Sequence, residues 1–320
     1  MQASVRAFYG RELTPTELRT HPLSSYEVVA KGLAQLGLID IWSHGSGAEF
    51  TDLIAVAEAV GECLGGYPLA ETWAVLRALE RAGYVFPDGE TSAVAVLAHR
   101  DLGEPQNIAG GAVASHLLGM RGDGLVLIKL RDNLPRVQDH AGLLMGRWEQ
   151  TGCEELLLAS GSVAGEVFET AEREWKILIA AMTAGAASSA IGMAVEFANV
   201  RETRGVAIGA LQAISHPLAD VHIGVLGARN LARRAAWYLE HEPNNLGELS
   251  NLALVYAARA ASDAVHVAVH VHGGQGVSLE SDVSMVFERA RQWPLAAGNP
   301  EALLAEVGNA LLETTLGATP

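Results

Sequence analysis

The chain has 320 residues, of which 49% are hydrophobic and 18% are charged, and its formal net charge at pH 7 is -15. This length is sufficient for two or three structural units around large hydrophobic cores. The excess of acidic residues disfavours nucleic acid and anionic membrane surfaces as partners, so a phosphate-bearing ligand would need a local cluster of basic side chains.

The cysteines and the N-terminal sequence indicate the cellular compartment in which the protein is expected. Cys63 and Cys153 lie far apart in the chain, which favours neither a disulfide framework nor a zinc site. The N-terminal sequence contains no apolar run of signal-peptide length. Together these features predict a reducing, cytoplasmic environment.

The first part of the chain has a helical pattern. Ser24 and Glu27 have the spacing of a capping box in front of an apolar run. Further on, Pro68 and Gly83 bracket a second apolar run, in the positions expected just before and just after a helix. Residues 1–87 are therefore predicted to form an N-terminal helical domain.

A glycine-containing stretch within this region, 45–50 (GSGAEF), superficially resembles a dinucleotide-binding turn. Phe50 takes the place of the last glycine of that fingerprint, and no alternating strands and helices follow it. A Rossmann domain is accordingly disfavoured.

The pattern changes in the middle of the chain. Short apolar runs at 94–97 (VAVL), 125–130 (LVLIKL) and 155–160 (ELLLAS) are separated by glycine, proline and aspartate. Asp123–Gly124 is a candidate hairpin turn between strands. Because the runs are short, residues 88–165 are predicted to form a small, reduced β domain.

The helical period returns in residues 166–320. The stretch 177–200 is about as long as a membrane span, but Thr183 and Glu196 interrupt it and many of its residues are alanine or glycine. These features favour a buried central helix. Residues 166–320 are predicted to form a C-terminal four-helix bundle, and the fold class is predicted to be α+β and mainly α.

One candidate metal site lies in this helical region. His266 and His270 are four residues apart on a predicted helix, and Asp263 precedes them on the same face. The stretch lacks the glutamate of the metalloprotease helix, and no third strong ligand has suitable spacing. No metal site is therefore predicted.

Groups suited to a dinucleotide occur in two segments. RETRG at 201–205 ends the long apolar helix and supplies two cations in an acidic protein, while HVHGGQGV at 270–277 supplies glycines that expose backbone N–H groups. A pyrophosphate and its sugar require such donors. The candidate cofactor-binding residues are Arg201, Thr203, Arg204, Gln212, His270, Gly273 and Gly274.

The two segments also carry a resemblance to a known family. RETRGVAIGALQAISHPLAD followed by ARAASDAVHVAVHVHGGQGVSLESDV resembles the C-terminal domain of the acyl-CoA dehydrogenase superfamily, whose members carry an Arg-x-x-Phe-Gly segment, a following Gln and a Gly-Gly-x-Gly turn. The stretch from LAQLGLIDIW to LRALERAG is similar to the family's first helical domain. The resemblance implies a helical domain, a β domain and a four-helix domain, with FAD shared between two subunits of a tetramer.

The resemblance also implies roles for individual residues. Arg201 and Thr203 match the arginine and threonine that meet the FAD pyrophosphate across the subunit interface. Gln212 matches the following glutamine, and Gly273 and Gly274 match the glycine turn. These residues are expected to reach the adenosine and pyrophosphate side of FAD.

The chain departs from the family pattern at several positions. His270 stands where the family usually has glutamine, and Arg204 replaces the usual phenylalanine. The segments that flank the flavin ring have no clear counterparts, although Gly103–Pro105 resembles a remnant of one. The resemblance therefore supports the adenosine side of the cofactor site and not the flavin side.

The catalytic base is also missing. Dehydrogenation of a thioester needs a carboxylate that takes the α-proton while a hydride passes to the flavin. The two positions that carry this glutamate in the family are Trp175 and Ala297 here, and neither side chain accepts a proton. Glu174 and Glu301 are the candidates for a relocated base.

This combination resembles the non-catalytic subunit of the heteromeric steroid side-chain acyl-CoA dehydrogenases. The hypothesis is a chain that supplies the adenosine side of a shared FAD site in an α2β2 complex, while a catalytic partner subunit carries the glutamate and acts on an acyl-CoA, expected to be a steroid side-chain ester. Two alternatives are a homomeric enzyme with a relocated base and a degenerate binding or scaffold protein. Neither nucleic acid nor a membrane is an expected partner.

Overall fold

A computed structural model describes residues 1–13, 17–18, 22–41, 47–86, 94–140, 142–149 and 153–317. The helices are α1 (Gln2–Glu12), α2 (Pro22–Gln35), α3 (Phe50–Glu62), α4 (Leu69–Arg81), α5 (Gly161–Val200), α6 (Gln212–His241), α7 (Leu249–His272), α8 (Asp282–Ala296) and α9 (Pro300–Gly317). The strands are β1 (Ala95–Leu97), β2 (Gln106–Ile108), β3 (His116–Arg121), β4 (Gly124–Lys129), β5 (Gly146–Trp148), β6 (Glu154–Ser160), β7 (Glu202–Thr203) and β8 (Val206–Ala207). This mainly helical fold with a small sheet confirms the predicted fold class.

The chain divides into two compact units. Unit 1 comprises residues 1–19, 50–65 and 176–320, and unit 2 comprises residues 20–49 and 66–175. The N-terminal helices are thus shared between the units, since α1 and α3 belong to unit 1 and α2 and α4 to unit 2. The three domains 1–87, 88–165 and 166–320 stay a prediction, although helical structure already returns at Gly161.

The core of unit 1 depends on the small residues of α5. Gly61 of α3 lies against the backbone of Met182 in α5, and a Cβ atom at Gly185 of α5 would lie 2.1 Å from the carbonyl oxygen of Glu58 in α3. Such an approach is open only to glycine. The predicted central helix, 177–200, is entirely buried over 177–187, whereas exposed residues alternate with buried ones from 192 onward.

Two helical stretches are long and apolar enough to cross a membrane by length and composition, Gly161–Val200 and Leu249–Val277. In the first, 78% of the most apolar window is buried within the protein. A buried core helix passes the same test of length and composition, so this finding is only a weak indication of a membrane span.

Ion pairs join α1, α3 and α6 within unit 1. Glu58 is buried and pairs with Arg229 and Arg233, and Glu62 pairs with Arg229 and, at 2.6 Å, with Arg6. Because one carboxylate is buried between two guanidinium groups, replacing Glu58 alone would leave uncompensated positive charge where these helices meet.

Unit 2 contains a four-stranded sheet in the order β1-β3-β4-β6. Strands β1 and β3 are parallel, whereas β3, β4 and β6 are antiparallel neighbours. The β3–β4 turn consists of Gly122 and Asp123, so the predicted turn at Asp123–Gly124 is wrong by one residue. Gly122 has a φ of 59°, which a glycine adopts without strain, whereas Gly124 already pairs in β4.

The predicted helix ends are correct at one helix and wrong at another. Helix α4 follows Pro68 and is terminated by Gly83, whose φ is 72°. The capping box at Ser24 is wrong, because α2 begins at Pro22 and Ser24 lies inside the helix. Proline is favoured in the first turn, where its missing N–H is not needed.

Candidate functional site

The predicted cation segment forms a hairpin at the end of α5. Strands β7 and β8 pair in antiparallel fashion, and the N–H of Ile208 donates a 2.8 Å hydrogen bond to the carbonyl oxygen of Arg201. Arg204 and Gly205 connect the strands with φ values of 49° and 79°, as in a type I′ turn. The turn therefore places Arg204 at the exposed tip of the hairpin, between Arg201 and Gln212.

The second predicted segment lies beside this hairpin. The rings of Phe197 in α5 and His272 in α7 stack at a centroid distance of 4.4 Å. Nδ1–H of His272 donates to the carbonyl oxygen of Ala268 at 2.8 Å, which orients the ring. Since Arg201 follows Phe197 by one helical turn, the stack brings the ends of α5 and α7 together.

The glycine turn itself is a short 3-10 helix, Gly273–Val277. Gly273 ends α7 with a φ of 61°, and a Cβ at Gly276 would lie 2.8 Å from the carbonyl oxygen of Val269. Gly274 has open space around it. Gly273 and Gly276 thus serve the backbone geometry of the turn, and the open space beside both Gly273 and Gly274 leaves room for a ligand.

We call this surface the hairpin end of unit 1 and define it by residues 200–212 and 270–279. It also exposes large apolar side chains, with Val200 78%, Val277 70% and Leu279 73% accessible. Exposed apolar side chains are common on surfaces that bind another molecule. All the predicted cofactor-binding residues lie here and are exposed: Arg201, Thr203, Arg204, Gln212, His270, Gly273 and Gly274.

A groove lies next to the hairpin end, between the second half of α5 and the first half of α6. Its volume is about 550 Å³, and most of its lining is apolar. Asn199, Ser215 and His222 are among its polar residues. A mostly apolar groove with a few polar groups suits a flat heterocyclic ring.

Trp175 and Ala297, the two positions that the resemblance assigns to the base, have buried side chains. Glu174 does not replace them, because it is buried and both of its carboxylate oxygens are paired. Nε of Arg77 lies 2.7 Å from Oε1 and Nη1 of Arg81 lies 3.0 Å from Oε2. Two guanidinium groups therefore hold this carboxylate as an ion-pair partner. Glu301 is exposed in the first turn of α9.

One buried carboxyl escaped the sequence analysis. Glu71 lies at the start of α4, and its burial raises the pKa of the carboxyl, although its own backbone N–H and, to a smaller extent, the nearby indole Nε1–H of Trp175 partly offset this effect. That N–H makes no hydrogen bond of normal geometry. The ring of His99 lies 4.6 Å from the Trp175 ring. No sequence signal distinguishes Glu71 from an ordinary acidic residue in a first helical turn, because its burial depends on residues about 100 positions away.

Replacing Glu71 with glutamine should stabilise the protein at neutral pH. Because the folded-state pKa of Glu71 is raised, its favourable contribution is complete below the unfolded pKa and is lost as the pH rises through the folded pKa. Glutamine does not ionise, so the variant should gain on the order of 1 kcal/mol at pH 7. Urea unfolding at pH 7 and pH 4.5 measures this; an equal difference at both pH values would contradict a buried ionising group.

The segment that resembles a flavin-flanking remnant is engaged in its own turn. Asp101 accepts hydrogen bonds from the N–H groups of Gly103 at 2.7 Å and Gly122 at 2.6 Å, and these bonds lower the pKa of its carboxyl. The buried side chain of Gln106 accepts from the N–H groups of His99 and Arg100. The side chains of Asp101 and Gln106 are thus hydrogen-bonded to backbone groups within unit 2.

The two disfavoured motifs gain no support. In the part of the chain that the structure describes, no three His, Cys, Asp or Glu side chains could share a metal ion. Residues 45 and 46 of the glycine-containing stretch lie outside the described residues. The N–H of Phe50, at the start of α3, donates to both carboxylate oxygens of Glu240 at 3.0 and 2.9 Å. A carboxylate therefore occupies the helix terminus where a dinucleotide phosphate would bind.

Comparison with known proteins identifies the fold and one domain match. Residues 168–312 match the model of the acyl-CoA dehydrogenase C-terminal domain. The chain superposes on the solved structure of the steroid acyl-CoA dehydrogenase Tcur3481-Tcur3483 with a TM-score of 0.86 and 20% identity, covering 98% of this chain and 97% of that chain. It superposes on the ChsE4-ChsE5 complex from Mycobacterium tuberculosis with a TM-score of 0.82 and 23% identity, covering 100% and 96%. The protein thus has the acyl-CoA dehydrogenase fold, with that superfamily's C-terminal domain at residues 168–312.

Curated relatives are similar over different parts of the chain. Acyl-CoA dehydrogenase FadE12 of Mycobacterium tuberculosis is 34% identical over 143 residues, which cover 44% of this chain and 36% of the relative, so the chain matches little more than a third of that protein. Acyl-CoA dehydrogenase IpdE2 of Mycolicibacterium smegmatis is 24% identical over 81% of this chain and 78% of the relative. The predicted resemblance to the acyl-CoA dehydrogenase superfamily is confirmed for residues 168–312, and the solved structures extend the likeness of fold to nearly the whole chain.

Proposed function

We propose that this chain is the non-catalytic subunit of a heteromeric, FAD-dependent acyl-CoA dehydrogenase. The observation that carries the proposal is the contrast between two sets of residues. The predicted pyrophosphate-binding residues are exposed together at the hairpin end, whereas Glu174, beside a family base position, is buried between two arginines. The chain thus has a proposed cofactor-binding surface but no carboxylate at the two positions that the resemblance assigns to the base.

The hairpin end fits the diphosphate side of FAD. Arg201 and Arg204 supply positive charge, Thr203 and Gln212 supply neutral donors, and the turn at Gly274 leaves space for close approach of a ligand. The groove of about 550 Å³ between α5 and α6 lies within two residues of Arg201 along α5 and is proposed to receive the adenine ring. The bound FAD would supply hydride acceptance, and this chain would bind and orient its adenosine end.

The proposed partner is a catalytic acyl-CoA dehydrogenase subunit in an α2β2 complex. Two of the similar solved structures are named for pairs of chains, Tcur3481-Tcur3483 and ChsE4-ChsE5, and the former is described as a steroid enzyme. The exposed apolar residues Val200, Val277 and Leu279 around the cation cluster are suited to burial against that partner. The proposed substrate is the CoA ester of a steroid side chain, bound mainly by the partner.

One observation favours a second candidate, a homomeric enzyme with a relocated base. Glu71 is a buried carboxyl with a raised pKa next to Trp175, a family base position. A purified chain that retains FAD and oxidises an acyl-CoA without any partner would support this candidate, provided that Glu71→Gln abolishes the activity while preserving the fold. A colourless, inactive chain that gains flavin only with a partner supports the heteromer.

Arg201→Ala should weaken FAD retention in the complex by about tenfold to a hundredfold, because a charge-assisted contact contributes about 1.5–3 kcal/mol. Flavin per complex after gel filtration, read from its absorbance, measures the loss. Arg131→Ala removes an equally exposed arginine in unit 2 and serves as the matched control. Equal flavin retention in both variants would contradict the proposal that the hairpin end is part of the cofactor site.

A further inference from the structure

Helices α6 and α7 lie side by side in unit 1 and expose a common face. A Cβ atom added at Gly224 in α6 would lie 3.8 Å from the Cβ of Ala260 in α7. The outer side of this pair carries Ile223, the most exposed large apolar side chain of α6, which is 67% accessible. We call this surface the α6–α7 face and define it by the exposed side chains of residues 216–230 and 252–270.

The α6–α7 face carries two exposed aspartates and one exposed arginine. Arg259 and Asp263 belong to α7, and Asp220 belongs to α6. In the part of the chain that the structure describes, none of the three makes an ion pair or a side-chain hydrogen bond.

A groove between the two helices contains both aspartates. Its volume is about 490 Å³, and His266 also lines it. Nδ1–H of His266 donates to the carbonyl oxygen of Ser262 at 2.6 Å, so the neutral ring offers Nε2 as an acceptor. The groove therefore presents hydrogen-bond acceptors and negative charge, which suit a guanidinium group.

We infer that the α6–α7 face docks on the α6–α7 face of a second copy of this chain, about a two-fold axis level with residue 261. In this arrangement the two α7 helices lie antiparallel, and Arg259 of each copy meets Asp263 of the other. Each guanidinium then enters the groove of the opposite copy, beside Asp220. A parallel arrangement would instead bring the two arginines together and the two Asp263 side chains together.

The apolar side chains indicate the same axis. Because α6 and α7 run antiparallel and Gly224 is level with Ala260, residue 223 of α6 is level with residue 261 of α7. Ile223 therefore meets its own copy on the axis, where its exposed side chain becomes buried. On α7, Tyr256, which is 42% exposed, comes opposite His266 of the copy. A charge pair and an apolar contact, on different helices, thus lead to one register.

The size of the face suits a moderate interface. Residues 252–270 span about 27 Å along α7, and two adjacent helices are about 20 Å wide. Two such faces cover roughly 1,100 Å² in total, near the lower limit of about 1,200 Å² for standard interfaces. The net charge of -15 repels the copies at a distance, but physiological salt screens this repulsion beyond about 8 Å. The contact is expected to be reversible and to require neither FAD nor a catalytic subunit.

Two charge reversals test the pairing. Arg259→Asp and Asp263→Arg each place like charges opposite each other in both halves of the symmetric contact, so either variant alone should self-associate about tenfold more weakly, or less. An equimolar mixture of the two should restore association, because every pair of residues 259 and 263 then joins opposite charges. Both side chains are exposed, so the unfolding midpoints should stay unchanged.

Sedimentation velocity of the purified full-length chain at physiological salt, from about 1 to 100 µM, measures this association. Arg131→Asp reverses an equally exposed arginine in unit 2 and is the matched control. It should associate as strongly as the unchanged chain.

A disulfide tests the position of the axis. Packed helices have axes about 8–10 Å apart and Cα atoms about 2.3 Å from each axis, so two Cα atoms on the two-fold are about 4–6 Å apart, which suits a disulfide. With Cys63 and Cys153 replaced by serine, mild oxidation of Ile223→Cys should give a covalent dimer. Asn230→Cys, exposed two turns further along α6 and roughly 20 Å from its copy, should not cross-link.

Undiminished self-association of either reversal, no restored association in their mixture, or equal cross-linking of Asn230→Cys and Ile223→Cys would each overturn the inference. So would an unchanged chain that stays monomeric over the whole concentration range. Association that appears only with a co-expressed dehydrogenase subunit would overturn it too, and would assign the α6–α7 face to that subunit.

Discussion

Glu174→Gln should destabilise unit 2 by about 3–5 kcal/mol, because it leaves Arg77 and Arg81 without their buried counter-charge. Glu174 is fully buried, and its oxygens lie 2.7 Å from Nε of Arg77 and 3.0 Å from Nη1 of Arg81. Glutamine keeps the volume of the side chain and removes only the charge. Urea unfolding followed by circular dichroism measures the free energy of unfolding of both proteins.

An exposed ion pair on the same helix provides the control. Arg173 and Glu169 pair one helical turn apart in α5, and both side chains are substantially exposed. Glu169→Gln should therefore change the free energy of unfolding by less than about 0.5 kcal/mol. If Glu174→Gln were equally mild and also abolished acyl-CoA oxidation by a partner-free chain, Glu174 would be a base and the proposed non-catalytic role would be wrong.

Gly185→Ala should destabilise unit 1 by about 3 kcal/mol, at the upper end of the range for overpacking. The added Cβ would lie 2.1 Å from the carbonyl oxygen of Glu58 and 2.9 Å from the backbone nitrogen of Glu62. These are backbone atoms of α3, so no side-chain rotation relieves the clash and the two helices must separate. The melting temperature and the midpoint of urea unfolding should both fall.

Gly165→Ala separates this steric effect from helix propensity. Gly165 lies in the same helix, α5, and a Cβ there would meet no atom within 4 Å. Alanine is a better helix former than glycine, so this variant should be stabilised by up to about 1 kcal/mol. A similar change in both variants would mean that α3 and α5 are not in close contact at Gly185.

The fold class followed from patterns that are local in sequence. The predicted change of apolar period at residue 88 and its return at residue 166 lie within a few residues of the first observed strand, at Ala95, and of the start of α5, at Gly161. Pro68 and Gly83 marked the ends of α4 because their backbone preferences act without distant partners. The capping box at Ser24 was wrong for a related reason. It is also a local pattern, but the helix already begins two residues earlier, at Pro22.

Only part of the candidate site could be predicted from the sequence. Arg201, Thr203, Arg204 and Gln212 are close in the chain, and the family motif identified them. The type I′ turn at Arg204–Gly205 could have been predicted from the glycine at its second central position. Its first central position also needs a positive φ, which arginine rarely adopts. The stacking of Phe197 on His272 joins segments about 75 residues apart, and no local pattern reports such a contact.

By itself the sequence determined the helical and strand composition, the acidic net charge and the cations of the hairpin, because these depend on residue identity and short spacing. It also placed Trp175 and Ala297 at the two positions that the resemblance assigns to the base. Only the tertiary structure decided the environments of Glu174 and Glu71. Glu174 became an ion-pair partner of Arg77 and Arg81, and Glu71 became a buried group with a raised pKa. Charge and solvation are properties of the space around a side chain, and that space is filled by residues from distant parts of the chain.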